Sequence, residues 1–323
     1  MYPLRFHPVF RQYIWGGRRL GSVFGKPIGE GDDYAESWEV VDHGNDQSVV
    51  REGDLTDKTL NELVANHTAE LLGDAGKEAT QFPLLLKLLD CNRDLSIQVH
   101  PNDQQASQLE PPDLGKTEAW YILDADPGAK LYVGLREGVD ANQFEAAVAD
   151  GSVADCMQTL SPAPGQAILI PAGTVHALGS GLLVAEIQQS SDTTYRLFDW
   201  NRLGADGQPR PLHVGQGLAV TDWDSRPQLT APQRQENEPS YEQLIRCDRF
   251  TLCRRTLDGD PIELPLGGSF RILLVIEGEI ELRGDPLGPL TRGQSVLLPA
   301  CLEQVTVWPK GRAIFLEMGG PTA

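Results

Sequence analysis

Cysteine is scarce in this 323-residue chain, and what there is has no pattern. Cys91, Cys156, Cys247, Cys253 and Cys301 are odd in number and widely scattered, with no C-x-x-C pair among them. That argues against a disulfide framework and fits reduced, mostly buried thiols in a cytosol. Basic residues are also short: 27 Lys and Arg face 46 Asp and Glu, a formal charge of −19. Such a balance argues against nucleic acid or an anionic membrane surface as partner. An anionic small substrate stays open, but it would have to meet a local cluster of Arg and Lys. Long apolar runs are missing as well. The N-terminus, MYPLRFHPVFRQYIWGG, has none long enough for a signal peptide, and no later segment approaches a membrane span. The expectation is a soluble, cytoplasmic, monomeric protein.

What is present is a texture of short apolar or alternating runs broken by Gly, Pro and Asp, such as PLLLKLLD, AWYILD, KLYVGL, AILIPA, LLVAEIQQ, FRILLVIEGEIELRG, SVLLPA and RAIFLEM. The chain is long enough for two such β units, each with a core of its own. Helical spacing is rarer. In TDKTLNELVANHTAELLGD, Leu60, Leu63, Val64, His67 and Leu71 share a face, with Thr56 or Asp57 expected to cap the start and Gly73 the end. DANQFEAAVADG opens with Asp140 three residues before Gln143, the spacing of a capping box. HVGQGLAVTDW is a third candidate, weakened by its glycines.

Residues 225–240, polar and rich in Pro and Gln, read as a linker between residues 1–224 and 241–323. An internal repeat supports that division. GQAILIPAGTVH reads Gly165, Pro171, Gly173, His176; GQSVLLPACLEQ repeats the spacing as Gly293, Pro299, Cys301, Gln304. The second copy keeps the scaffold and loses the histidine.

In LSIQVHPND, successive side chains of an extended strand alternate, so Ser96, Gln98 and His100 share the face opposite Leu95, Ile97 and Val99. Lys116, Glu118 and Trp120 share a face in the same way. The G-x5-P-x-G-x2-H pattern resembles the second motif of the cupin superfamily, whose β-barrels hold a metal in the barrel mouth. The expected fold is therefore mostly β, a bicupin with a few short helices around the first unit. Two His, one Glu and one Gln form an N/O set suited to Zn²⁺, with a position left for water or substrate.

PLLLKLLDCNRDLSIQVHPND, GKTEAWYIL, PAGTVHAL and AEIQQSSDTTYRLFDWNR, with YIWGG and AESWEV near the N-terminus, together resemble the type I mannose-6-phosphate isomerases in their short bacterial branch. The resemblance implies a metal-dependent interconversion of mannose 6-phosphate and fructose 6-phosphate through a cis-enediol. It places metal ligands on Gln98, His100, Glu118 and His176. Glu186, Arg196 and Lys116 fall on active-site positions, and Lys87, Ser96 and Arg202 on expected phosphate contacts. On LLVAEIQQ, Glu186 faces the same way as Leu182 and Val184, so its carboxylate should be partly desolvated and its pKa raised. His7, His43, His67 and His213 have no partner pattern, and Trp15 and Trp38 read as packing anchors. Arg196 could equally pair with Asp192 or Asp199 on the surface. Two other functions fit the same ligand set: an Fe(II) cupin oxygenase, and a bicupin that binds a sugar phosphate without turning it over.

Overall fold

The computed structural model describes residues 1–204, 207–230, 232–235 and 238–320. Its first unit is a sandwich of two antiparallel sheets. One sheet has six strands in the order Ala167–Ile170, Glu118–Ala125, Leu182–Gln189, Leu84–Cys91, Tyr34–Val40 and Val9–Gly17. The other has five: Met157–Leu160, Leu131–Leu135, His176–Leu178, Ile97–Val99 and Tyr195–Phe198.

Both central strands of the larger sheet, Leu84–Cys91 and Leu182–Gln189, are buried at every position. The pleat explains how such continuous runs are used. Leu84, Leu86, Leu88, Leu183, Ala185 and Ile187 point away from the sandwich into a core shared with Leu252, Ile272, Leu274 and Leu316 of the second unit. The alternate residues point inward. At one end these are apolar, with Leu89, Leu182 and Val184 packed on Trp120 and Ile122. At the other end the same face carries Lys87, Glu118 and Glu186. An apolar floor therefore grades into a polar mouth.

The second unit pairs a six-stranded and a four-stranded sheet. Its interior is filled by aliphatic and aromatic side chains, among them Leu273, Val275, Val296, Leu298, Val305, Val307 and Phe315. The repeat is visible in the backbone: Gly165 and Gly293 both take positive φ, 89° and 81°, before strands Ala167–Ile170 and Ser295–Leu298. His176 opens its strand buried, whereas Gln304 opens Gln304–Pro309 exposed.

The expected linker is partly strand. Thr230 bridges to Ala167, and Gln233–Gln235 pairs with Glu238–Arg246 at the edge of the second unit's larger sheet. An edge strand that is half solvated can be polar, which is why no periodicity betrayed it. Residues 231, 236 and 237 of that stretch lie outside the described residues.

Helices Ala141–Asp150 and Val214–Val220 lie where the spacing predicts, the first with its Asp140/Gln143 capping box. Helix Leu60–Leu72 is capped by Thr59 in a box with Glu62, not by Thr56 or Asp57. The earlier residues are in a turn, where Asp57 has φ 67° and Lys58 N–H donates to Leu55 O. His67 falls at a non-helical kink and contacts Glu70 at 3.2 Å instead of joining the core. No described helix is long and apolar enough to cross a membrane, and all five cysteines are free thiols.

Candidate active site

Strand pairing assembles the site. Gln98 on Ile97–Val99 lies opposite His176 on one side and Arg196 on the other, and His100 follows one residue after that strand ends. Across the sandwich, Glu186 is the register partner of both Lys87 and Trp120, and Gln188 of Glu118. Two sheets thus face each other with polar groups at the same level.

His100, Glu118 and His176 converge there, one donor atom of each lying within 4.8 Å of the others. All three are about 1% exposed. His100 Nδ1 donates to Thr193 O at 2.9 Å and His176 Nδ1 donates to Thr174 O at 2.8 Å. Those bonds fix the tautomer and leave each Nε2 as a lone pair. The Nε2 atoms lie 3.5 Å and 3.3 Å from the two carboxylate oxygens of Glu118. Burial and the neighbouring positive charges push the His100 pKa well below its ordinary value, and burial lowers that of His176. Burial pushes the Glu118 carboxyl up, but Lys116, His176 and Lys87 more than reverse this, so it stays ionised.

Three electron-rich donors therefore meet with no proton between them. Both Glu118 oxygens are buried without a hydrogen bond of good geometry. Their nearest positive charge is the Lys116 ammonium, 2.8 Å from Oε2 and 3.0 Å from His100 Nε2. A buried carboxylate that faces two imidazole lone pairs, with one ammonium at its edge, is an arrangement that a bound cation would stabilise. The donor set fits a divalent metal such as Zn²⁺. The Gln98 side-chain amide lies 3.4 Å from His176 Nε2, within reach of the same point.

Beside these residues opens a cavity of ≈ 280 Å³. Lys87, Ser96, Lys116, Glu186 and Arg196, expected at active-site or phosphate positions, line it, and so does Gln98, expected as a metal ligand. Glu186 is 5% exposed. Trp120 Nε1–H donates to its Oε2 at 2.9 Å, and Lys87 Nζ lies 3.6 Å from its Oε1. Burial and the Glu118 charge push its pKa up to about 7, against the opposing pull of Lys116 and Lys87. Lys87 loses solvation on burial, but Glu36, Glu186, Asp192 and Glu118 outweigh that and hold its pKa above the ordinary lysine value. It also stacks 4.6 Å over the Trp38 ring.

Arg196 has no carboxylate partner within ion-pair distance among the described residues. Its Nη1 donates to Pro211 O at 3.1 Å, and its buried Nε has no partner. The surface pairing with Asp192 or Asp199 does not form. Asp199 is taken by two other arginines: Arg202 donates to its Oδ1 at 2.9 and 3.1 Å, and Arg210 to both its oxygens at 2.6 and 2.7 Å. Arg202 is not among the residues lining the cavity. It spends its third group on Asp94 O at 2.6 Å, and its chain is turned away by left-handed backbone at Trp200 and Asn201, φ 57° and 52°.

Sequence reasoning missed Tyr13, Glu36, Arg210 and His213, which line the cavity; Trp15, read as a packing anchor, is buried in the core with Leu89 and Trp120 and shows one edge to the same cavity. Trp15 stacks on Tyr13 with ring centroids 5.6 Å apart. His213 Nδ1 accepts from Arg196 N–H at 3.2 Å.

The chain is similar to known proteins over most of its length. The family model described as phosphomannose isomerase type I, catalytic domain, matches residues 4–127, and that of the mannose-6-phosphate isomerase cupin domain matches residues 240–317. The chain is 38% identical over 92% of its length, and 93% of the relative's, to the mannose-6-phosphate isomerase ManA of Bacillus subtilis. It is 38% identical over 68% of its length, and 67% of the relative's, to a mannose-6-phosphate isomerase of Streptococcus mutans. The crystal structure of the mannose 6-phosphate isomerase from Bacillus subtilis matches with a TM-score of 0.89 at 32% identity, covering 98% of this chain and 99% of that one. A phosphomannose isomerase from Salmonella typhimurium, 18% identical with a TM-score of 0.79 over 98% of this chain and 99% of that one, shares the fold.

Proposed function

The chain belongs to the type I mannose-6-phosphate isomerases, metal-dependent aldose–ketose isomerases of mostly β cupin fold, and on that premise we propose how its residues interconvert mannose 6-phosphate and fructose 6-phosphate. The observation that carries the reading is the buried meeting of His100, Glu118 and His176 beside a carboxyl whose pKa lies at about 7.

His100, Glu118 and His176, with Gln98 as fourth donor, would hold one Zn²⁺. When bound, it supplies a Lewis-acid centre for the sugar's oxygens. Glu186 moves the proton between C1 and C2. A base for this step works best with a pKa near neutrality, which burial gives it. Trp120 fixes the rotamer of Glu186, and Lys87 favours its ionised form. Arg196, with no carboxylate partner among the described residues, faces the negative charge that develops as the cis-enediol forms. Lys116, in contact with His100 and Glu118, holds a positive charge beside the donors. Ser96 and Lys87 line the wall where the sugar lies.

Residues 1–224 carry this chemistry. Residues 241–323, with a filled barrel and Gln304 in place of the histidine, serve as scaffold through the shared core. A monomeric, cytoplasmic enzyme is part of this proposal, and the free thiols fit the second half of it. The test is a turnover assay: purified protein given mannose 6-phosphate should yield fructose 6-phosphate, and should lose the activity with a chelator and regain it with Zn²⁺. A protein that binds mannose 6-phosphate without converting it would favour the non-catalytic reading instead.

A further inference from the structure

The cavity contains four permanent cations, and their pairings differ. Lys87 lies 3.5 Å from Glu36 and 3.6 Å from Glu186, and Lys116 lies 2.8 Å from Glu118. Both lysines are compensated by carboxylates of the site itself. Arg196 has no such partner among the described residues. Arg210 is held from behind: its Nε and one terminal nitrogen donate to the two oxygens of Asp199 at 2.7 and 2.6 Å. Its Nη1 has no hydrogen-bond partner among the described residues. Asp199 is shared with Arg202, so one carboxylate faces two guanidiniums, and together with Arg196 this arginine group carries the positive charge left for a ligand.

Their backbones are also fixed together. Arg210 stands between Pro209 and Pro211, and Leu203 bridges to Pro209. His213 N–H donates to Arg196 O at 2.7 Å, and Arg196 Nη1 donates to Pro211 O at 3.1 Å. A guanidinium pinned by a bidentate carboxylate on a proline-stiffened loop is pre-organised, so little entropy is lost when it takes an anion.

We infer that Arg210, braced by Asp199 and set beside Arg196, is the arm that binds the substrate's phosphate and sets the preference for phosphorylated sugars. Arg202 acts from behind, by holding the other side of Asp199. This assignment rests on the isomerase reading for its substrate. A phosphate dianion needs about two positive charges, and in a chain of net charge −19 only local cations supply them.

The test compares Arg210→Ala, Arg210→Lys, Arg202→Ala and the wild type, each metal-loaded. Steady-state kinetics on mannose 6-phosphate and on unphosphorylated mannose are read beside calorimetric binding of inorganic phosphate. A charge-assisted contact made equally in ground and transition states shows up in KM. Arg210→Ala should raise KM for mannose 6-phosphate by about 10- to 100-fold. Its kcat should change little, its kcat/KM for mannose should fall far less than that for mannose 6-phosphate, and its phosphate binding should weaken in parallel. Arg210→Lys, which keeps the charge and loses the fork, should show a smaller rise, as should Arg202→Ala. An unchanged KM in Arg210→Ala, an equal fall in kcat for both sugars, or a larger KM rise in Arg202→Ala would each overturn the assignment. A wild type without turnover would sink the isomerase reading alone, because phosphate binding still reports on Arg210.

Discussion

Glu186 and Lys87 are register partners on adjacent central strands, and Lys87 Nζ lies 3.6 Å from Glu186 Oε1 inside a sandwich that leaves each about 5% exposed or less. The pair sets an ionisable carboxylate against an ammonium in the buried wall of the cavity. Burial raises the Glu186 pKa to about 7, and Lys87 keeps it from rising further. Glu186→Gln should lower kcat by about 10²- to 10⁴-fold, the usual contribution of a general acid/base. Metal content and KM should hardly move. Normal kcat with weakened binding would make Glu186 an orienting group.

The pH profile follows from the same residue. Glu186 takes a proton only when ionised, so the rate must fall as pH drops through its pKa. A nearby dication stabilises the carboxylate. The acidic limb of the loaded enzyme should therefore lie below the value of about 7 found for the metal-free chain. A kcat/KM profile flat down to pH 5 would leave Glu186 without its role.

Stability gives the opposite sign for the metal-free protein. A carboxyl with a raised folded-state pKa contributes stability below its unfolded value, and that contribution is lost as pH rises through about 7. Glu186→Gln removes the loss. The metal-free variant should melt higher than the metal-free wild type above pH 7, with the gap closing towards pH 4. Parallel melting curves across that range would contradict the raised pKa.

Arg196→Ala removes a guanidinium that lines the cavity and that the proposal sets against the reacting end of the sugar. Here kcat should fall for phosphorylated and unphosphorylated sugar alike, by about 10²-fold or more, the scale of a lost transition-state donor. A change confined to KM for mannose 6-phosphate would move Arg196 to the phosphate.

The candidate metal donors were legible because each belongs to a local pattern: alternate residues in LSIQVHPND, the same spacing in GKTEAW, and a Gly–Pro turn before His176. Glu186 and Arg196 were reached through the family resemblance, and their relation to Lys87 needed the strand register. Arg210, Glu36 and His213 carry no local signal. Glu36 arrives through pairing of Tyr34–Val40 with Leu84–Cys91, and Arg210 through a loop clamped to Arg196. Arg202 shows the limit from the other side. The resemblance places it among phosphate contacts, whereas the structure turns its side chain to Asp94 and Asp199, after two left-handed residues. The cap of helix Leu60–Leu72 failed for a like reason, since backbone turns, not composition, decided which threonine was extended.

The repeat makes a sharp comparison. His176 and Gln304 open equivalent strands, one buried beside Glu118, the other exposed at the rim of a filled barrel. His176→Ala or His100→Ala should abolish bound metal and turnover together, and Gln304→Ala should affect neither. Metal loss on Gln304→Ala, measured by elemental analysis, would place a second site in the C-terminal unit.

The central claim is that one divalent ion, held by His100, Glu118 and His176, makes this chain an isomerase. Titration of the chelator-stripped protein with Zn²⁺, following conversion of mannose 6-phosphate to fructose 6-phosphate at each addition, tests it most directly. Activity should climb from near zero and level off at one equivalent per chain, with no rise in His176→Ala. Full activity before any metal is added, or a plateau at two equivalents, would contradict it.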